Sequence, residues 1–432
     1  MLMPTSTKDK SELFSKIPHF FVDFHRPICY NVYESEEKNL TKLNIHPKLA
    51  DRTYFVGGCI RDEFRNDDIN DFDFVVEATE EEFRSFHPQA PYVGKDFPVF
   101  LIDGHEVALT RTERSTGEGY GNFEVTGVGV PILADLARRD FTINAMARRM
   151  TNRHFIDPFE GVHDIDRGMI RTMNTAAFLE DPVRILRAAR FASRFHYTID
   201  PITLELMAEA ADKLRFVTKE RIVLEVEKMY KQTKSPRIFF ETLAKIDALK
   251  FIFAPVDEMR KITAGPHKHH HGKTAFTHTM DAIDRAARLE APFHVFIGVL
   301  FHDTGKATTA PEILPHHYEH ELRSADIARE FFEDHRFSKR VKEFAPKAGK
   351  LHMKAHGMLT ARPKKLVKYA KEIGRRDFES MVMVMESDHP LSDEQKAVVE
   401  VLRKVVFETD FSHLGEFPPK QREQRAHETM VR

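Results

Sequence analysis

The chain has 432 residues, of which 41% are apolar and 31% charged, and a formal net charge of −2. That length exceeds one ordinary core and predicts roughly two to four domains, while the balanced charge excludes a globally basic nucleic-acid binder and leaves only a local patch for that role. Cys29 and Cys59 provide neither a disulfide framework nor zinc spacing, and the longest apolar run, around Val295 to Phe301, is too short to span a bilayer, so a cytoplasmic enzyme without a membrane partner is expected.

Residues 1–50 carry an ESEEKN charge run without a clear period and are treated as an extension of unknown role. Mixed α/β patterning follows over 51–165. YFV and DFVV read as buried strands, and VFLIDGHEVALT reads as a hairpin turning on Asp103 and Gly104, a good type I′ pair. RTERSTGEGYGNFEVTGVG, 111–129, is glycine-rich and reads as a mobile loop rather than an element, and RRDFTINAMARR, 138–149, resumes a helix-like period. From 166 to 265 the apolar spacing is helical with no strand pattern. Within it, the stretch from Arg184 to Arg237 holds 12 Lys/Arg against 7 Asp/Glu and is the candidate basic patch. A second all-helical region spans 266–390, and 391–432 is a charged helical tail.

Residues 54–76, YFVGGCIRDEFRNDDINDFDFVV, hold the first chemical constellation. In an extended chain Asp71 and Asp73 face the same way and can share a divalent ion. Mg²⁺ favours such hard oxygen ligands together with substrate phosphates. Gly57 and Gly58 allow backbone N–H groups to approach a triphosphate, and Arg61 adds a fixed positive charge. An exposed acidic strand after a tight turn is the alternative. Downstream, Asp140 could complete the metal site or orient the attacking hydroxyl, with Arg139 on phosphate or ribose; helix capping by Asp140 is the competing reading. EDPVRILRAARFASRF, 180–195, places Asp181 near a helix start and Arg184, Arg187, Arg190 and Arg194 along one face. A carboxylate beside a guanidinium can read a base edge by accepting and donating hydrogen bonds. A salt-bridged amphipathic helix would use the same stripe differently.

In this order the three segments resemble the class II tRNA nucleotidyltransferases, the CCA-adding enzymes, and their poly(A) polymerase relatives, over about residues 52–262. The resemblance implies an α+β fold, with a nucleotidyltransferase head of mixed sheet and helices followed by an all-helical neck and body. It makes GGCIRD with Asp71 and Asp73 the Mg²⁺ and triphosphate site, RRDFTINAMA the ribose segment, and EDPVR with RILRAARF the amino-acid template for CTP and ATP. Gly58, Arg61, Arg139, Arg184 and Arg187 would then bind nucleotide, and the partner would be the tRNA 3′ end. VGKDFPVFL at 93–101 replaces the GRRF-like segment usual in poly(A) polymerases, and the segment at 111–129 favours full CCA over partial CC or A addition. EFRN at 63–66 departs from the family's small LLG-like step, with Asn66 able to take a left-handed turn.

A fourth constellation lies in the second helical region. His278 in FTHTMDAID precedes His302 and Asp303 in VFIGVLFHDTGK, with His317 and His320 following in HHYEHE. A His-Asp pair closing an apolar helix, with another His one hairpin upstream, matches a metal site built between helices. This resembles HD-domain phosphohydrolases over roughly 267–390 and implies a second divalent metal such as Ni²⁺ or Mn²⁺. Asp388 is expected to close the ligand set, with His352 and His356 as competitors. An HD phosphohydrolase carrying an inactive RNA-binding head is the alternative of another class.

Overall fold

The computed structural model describes residues 43–69, 71–93, 99–115 and 123–408. Most of the N-terminal extension with Cys29, the 94–98 part of VGKDFPVFL, the 116–122 part of the glycine-rich stretch and the final 409–432 therefore lie outside the described residues.

The chain divides into two compact units, the first drawn from residues 1–111, 128–137 and 143–162. Its strands are β1 (Thr53–Val56), β2 (Asp73–Val76), β3 (Tyr92–Val93), β4 (Val99–Ile102), β5 (His105–Leu109), β8 (Ala147–Arg149) and β9 (Phe155–Ile156); the two-stranded ribbon of β6 (Arg111–Ser115) and β7 (Phe123–Val128) falls, but for its end residues Arg111 and Val128, in the second unit. The seven form one sheet in the order β3-β4-β5-β2-β1-β8-β9, mixed because β2 and β5 run parallel and the other pairs antiparallel. β1 is a continuous buried run, as a strand paired on both edges should be. The β4–β5 turn has Asp103 at φ 51° and Gly104 at φ 82°, the two positive values a type I′ turn needs.

Two expectations for this region fail for the same reason, strand pairing overriding local pattern. Residues 138–149 do not form a continuous helix: Thr142–Asn144 make a single 3₁₀ turn and Ala147–Arg149 pair with β1. Ile143, Ala145, Met146 and Ala147 are all fully buried, so no periodicity distinguishes the faces. The 111–129 segment is not simply a loop either. Its flanks pair as β6 and β7, with the Thr112 and Thr126 hydroxyls 3.0 Å apart across the ribbon.

Between β1 and the helix that follows it, α1 (Gly58–Phe64), Gly57 adopts φ 70° and ψ −124°, a conformation in which a Cβ would clash. Asn66 follows the helix at φ 57°, in the left-handed turn its side chain tolerates.

The second unit takes in residues 112–127, 138–142 and 163 onward and is mainly helical. One short exception interrupts the expected helical stretch: β10 (Met169–Ile170) pairs in parallel with β11 (Thr198–Ile199). Seven helices matter below: α2 (Val183–Phe195), α3 (Lys219–Gln232), α4 (Ala275–Arg288), α5 (Phe293–Phe301), α6 (His320–Asp334), α7 (Lys339–Met358) and α8 (Phe378–Asp388). α5 is apolar on every side, with Val295 to Phe301 all fully buried, and it packs against α4, α7 and α8. Such a helix carries the residues after its last turn into the interior, and here those residues are His302 and Asp303. Among the described residues no helix is long and apolar enough to cross a membrane.

Candidate functional site

In the first unit the β1–β2 register pairs Val56 with Asp73, so the acidic strand begins beside the Gly57–Gly58 turn. Phe72 and Phe74 both contact Phe55 and His105 by their ring edges or tilted faces. Asp73 opens β2 and Asp71 lies two residues ahead of it, so continued extended backbone would turn both carboxylates to the side away from Phe72 and Phe74. Both aspartates are exposed. Two exposed carboxylates two residues apart, near backbone that a substrate can approach, are the kind of hard oxygen donors that would suit Mg²⁺. Arg61 is not open in this way. Buried to 4% exposure, it donates to Asp62 at 2.8 Å and to the Asn144 side-chain oxygen at 2.6 Å, which fixes the first turn of α1. Cys59 lies beneath the turn, its thiol pushed up to about 11 by burial.

In the second unit, Asp140, Asp181 and the α2 arginines form a connected charge array. Asp140 is buried at 8% exposure, and its carboxylate accepts from Arg187 Nε at 2.7 Å and from the Phe141 N–H at 2.9 Å. Asp140 beside it raises the Arg187 guanidinium above its usual range. Arg184 donates to the Arg138 carbonyl at 3.0 Å. Asp181, two residues before α2, accepts from the Val183 N–H, and its carboxylate is gripped by Arg221 of α3 in a bidentate pair at 3.0 and 3.1 Å. The carboxylate is thus held in place by a residue that sequence spacing did not suggest. Arg190 is enclosed between α2 and α3, donating to Glu225 at 2.7 Å and Gln232 at 3.1 Å, with its burial pushing the guanidinium down despite Glu225. Its place is that of the salt-bridged-helix alternative. Glu225→Ala, which strands this buried cation, is expected to destabilise the protein by about 3–5 kcal/mol, and Arg190→Met with Glu225→Leu to recover most of that, in denaturant unfolding. Equal losses in the single and double variants would refute the assignment.

The histidine constellation also lies in the second unit. His278 Nε2 is 2.7 Å from Asp388 Oδ1 and 3.7 Å from Asp303 Oδ2, and His302 Nε2 is 3.3 Å from Asp303 Oδ2 and 3.5 Å from Asp388 Oδ1. α4, the end of α5 and the end of α8 thus converge four nitrogen and oxygen donors on one point. His356 Nε2 reaches the other Asp388 oxygen at 2.9 Å, and Arg285 Nη2 holds the Asp388 carbonyl at 2.6 Å. His302 Nε2 and both Asp303 carboxylate oxygens are buried without a hydrogen bond of acceptable angle, even though Lys306 Nζ stands 2.7 Å from Oδ2. Buried polar atoms in that condition are rare and costly, and a divalent ion held there would satisfy them. Imidazole with carboxylate suits Mn²⁺, Ni²⁺ and similar ions. Burial opposes charge on His302, but Asp303 and Asp388 outweigh it and raise the ring to about 10. Burial likewise favours neutral carboxyls at Asp303 and Asp388, and the His302 ring, with Lys306 at Asp303 and His278 and His356 at Asp388, holds both well below the usual range.

Residues 53–171 match the model of the poly A polymerase head domain, and 196–262 that of a probable RNA and SrmB-binding site of polymerase A. The multifunctional CCA protein of Actinobacillus pleuropneumoniae serotype 5b is 39% identical over 328 residues, 73% of this chain and 78% of that protein. The chain belongs to the CCA-adding enzyme family. The family's multifunctional CCA protein from Mannheimia succiniciproducens is 37% identical over 355 residues, 78% of this chain and 83% of its own length. Solved CCA-adding enzymes share the fold: an apo form gives a TM-score of 0.63 at 21% identity over 88% of this chain and 87% of its own. The Thermotoga maritima enzyme complexed with tRNA gives 0.59 at 21% identity over 88% and 86%. The expected α+β class, a mixed-sheet head with a mostly helical remainder, is the family's fold. Neither matched family model reaches the histidine cluster, whose chemistry rests on its own geometry.

Proposed function

We propose that this member of the family adds and repairs the 3′-terminal CCA of tRNA from CTP and ATP, with Mg²⁺ held by Asp71 and Asp73. The reading is supported above all by the β1–β2 register, which pairs Asp73 with Val56 next to the Gly57–Gly58 turn. Relatives named multifunctional CCA proteins, and solved CCA-adding enzymes described with tRNA, CTP and ATP, support it. Mg²⁺ bound there supplies charge compensation for the triphosphate. In this reading residues 51–165 are the head and 166–265 the neck and body. Arg184 and Asp181 present donors and an acceptor to the base, with Asp181 oriented by Arg221. Asp140 acts by orienting Arg187 at the nucleotide, because the ion pair already commits its carboxylate. Gly57, Gly58, Arg61 and Arg139 shape the triphosphate and ribose side. Labelled CTP alone, ATP alone and both, offered with tRNA lacking its 3′ end, test the proposal. Full CCA addition needs C incorporated first and A only after it. Long tails from ATP alone on any RNA would make the chain a poly(A) polymerase, and arrest after CC a partial adder.

We infer a second activity for 266–390, an HD-type metal phosphohydrolase acting on phosphate esters such as 2′,3′-cyclic or 2′-phosphates at RNA ends. The buried donors of His278, His302, Asp303 and Asp388 support it.

A further inference from the structure

We propose that the outer surface made by α7 and the helix Pro363–Ile373 docks the phosphate backbone of an RNA strand and leads its end to the cluster of His278, His302, Asp303 and Asp388. The inference rests on the phosphohydrolase reading of that cluster and names the contact by which it holds a long substrate. Residues 339–376 carry 13 Lys/Arg against 2 Asp/Glu, an excess of +11 in a chain whose net charge is −2, so the other residues together carry −13. The excess is more than twice that of the 184–237 stretch, and it lies beyond both matched family models, which end at 171 and 262.

Carboxylates reach only part of this charge. Asp377 takes Arg340 and Lys347, Glu343 takes Arg376 at 3.0 Å, and Glu372 takes Lys354 at 2.6 Å. Both acids of the segment are then committed. Lys350, Arg362, Lys365, Lys368 and Lys371 are exposed and make no ion pair among the described residues. The three lysines of the 363–373 helix recur every third residue, which confines them to an arc of about 120°. Like charges at that spacing weaken a helix, and a row of phosphates laid against them would remove the cost.

α7 ties this surface to the cluster. Its His356 Nε2 reaches Asp388 at 2.9 Å. His389 gives the cluster an exposed edge: its side chain is 56% exposed, and its ring lies 5.6 Å from that of His356 and 5.4 Å from that of His278. The approach to the cluster therefore passes His356. Lys350 precedes that residue by six positions, about 9 Å along the helix axis, and Arg362 follows it by six. A bilayer would need an apolar face beside the charge. Ala370 and Ile373, the described aliphatic residues of the 363–373 helix, are instead buried, so the chemistry favours the RNA backbone.

The test uses the full chain with Mn²⁺ and a variant carrying Lys350→Gln, Arg362→Gln, Lys365→Gln, Lys368→Gln and Lys371→Gln. Two substrates are compared: an RNA of tRNA length ending in a 2′,3′-cyclic phosphate, and adenosine 2′,3′-cyclic phosphate, which is too short to reach the lysines. For the RNA, KM of the parent protein should rise by about a hundredfold or more between roughly 50 and 200 mM salt, as five phosphate contacts imply at about 0.7 each in the log–log slope. The variant should lose about that hundredfold of salt dependence, with KM raised at low salt and kcat unchanged, while both proteins hydrolyse the mononucleotide equally. Lys365→Gln with Lys368→Gln alone should remove about two fifths of the slope, and this pair decides should the quintuple variant not fold. Equal RNA KM values and salt slopes, with the mononucleotide still hydrolysed, overturn the docking surface and leave the phosphohydrolase standing. Hydrolysis of neither substrate by the parent removes the phosphohydrolase reading. RNA affinity measured by fluorescence anisotropy then decides the surface: equal affinity for parent and variant overturns it, and a salt-dependent loss supports it. Sedimentation of the parent with phosphatidylserine vesicles that RNA does not compete, abolished by the substitutions, would give the surface to a membrane and overturn the proposal.

Discussion

Replacing Asp73 by alanine should lower CTP incorporation into tRNA lacking its 3′ end by about a thousandfold, the scale seen when a charge-stabilising group aimed at the transition state is removed. Asp71→Ala should act similarly, and the double variant should fall little further, because two ligands of one ion work as a unit. The fold should survive. Both side chains are exposed, and exposed substitutions away from caps and strained backbone generally change stability by no more than about 0.5 kcal/mol. The thermal unfolding midpoint should therefore stay where it is while incorporation collapses. Asp71→Asn and Asp73→Asn separate charge from shape, since an amide keeps the volume but is a poor Mg²⁺ ligand, and they should be nearly as inactive. Incorporation within about tenfold of the parent in all these variants would remove the Asp71–Asp73 pair from the chemistry. That outcome would favour an RNA-binding head whose only catalysis lies in the helical region.

How far the site was legible depends on whether a partner lay nearby in sequence. β1, β2 and the hairpin turning on Asp103 and Gly104 follow from alternation and turn chemistry over a few residues. The segment 138–149 misled because its apolar residues are buried all round, and a fully enclosed segment carries no period to separate strand from helix. Likewise the glycines of 111–129 masked the threonine and valine alternation of the β6–β7 ribbon. Arg221 was invisible for another reason. It meets Asp181 only because α3 packs on α2 from 40 positions away, and no local pattern marks it. Arg187 belonged to a legible stripe, but its pairing with Asp140 spans 47 positions and links two segments that had been read as separate. Of the histidines, His302-Asp303 stood out by ending an apolar run. His320 and His352 lie 32 positions apart, and that they meet at one carboxylate oxygen is a fact of packing between α6 and α7.

Asp303→Ala is the second substitution with a large expected effect, and it should fall wholly on the other activity. Release of phosphate from a 2′-phosphorylated or 2′,3′-cyclic RNA end should drop by about a thousandfold or more, with CTP incorporation unchanged within about twofold. Loss of hydrolysis alone would not separate a metal ligand from a structural residue, so the pH dependence of ion binding on the unaltered chain carries the argument. The His302 ring keeps its proton up to about 10 because Asp303 and Asp388 outweigh its burial. A protonated ring cannot ligate, so an ion entering at neutral pH must displace that proton. Affinity for Mn²⁺ should then rise by about tenfold per pH unit between roughly pH 6 and 8, flattening only as the pH approaches 10. Calorimetric titrations in two buffers of different ionisation heat should register about one proton released per ion at this position. An affinity that stays level across this range, with no proton released, would mean that His302 does not bind the ion. Asp303 would then be a buried ion-pair partner of Lys306 and His302, and its removal should cost folding stability instead, by about 3–5 kcal/mol.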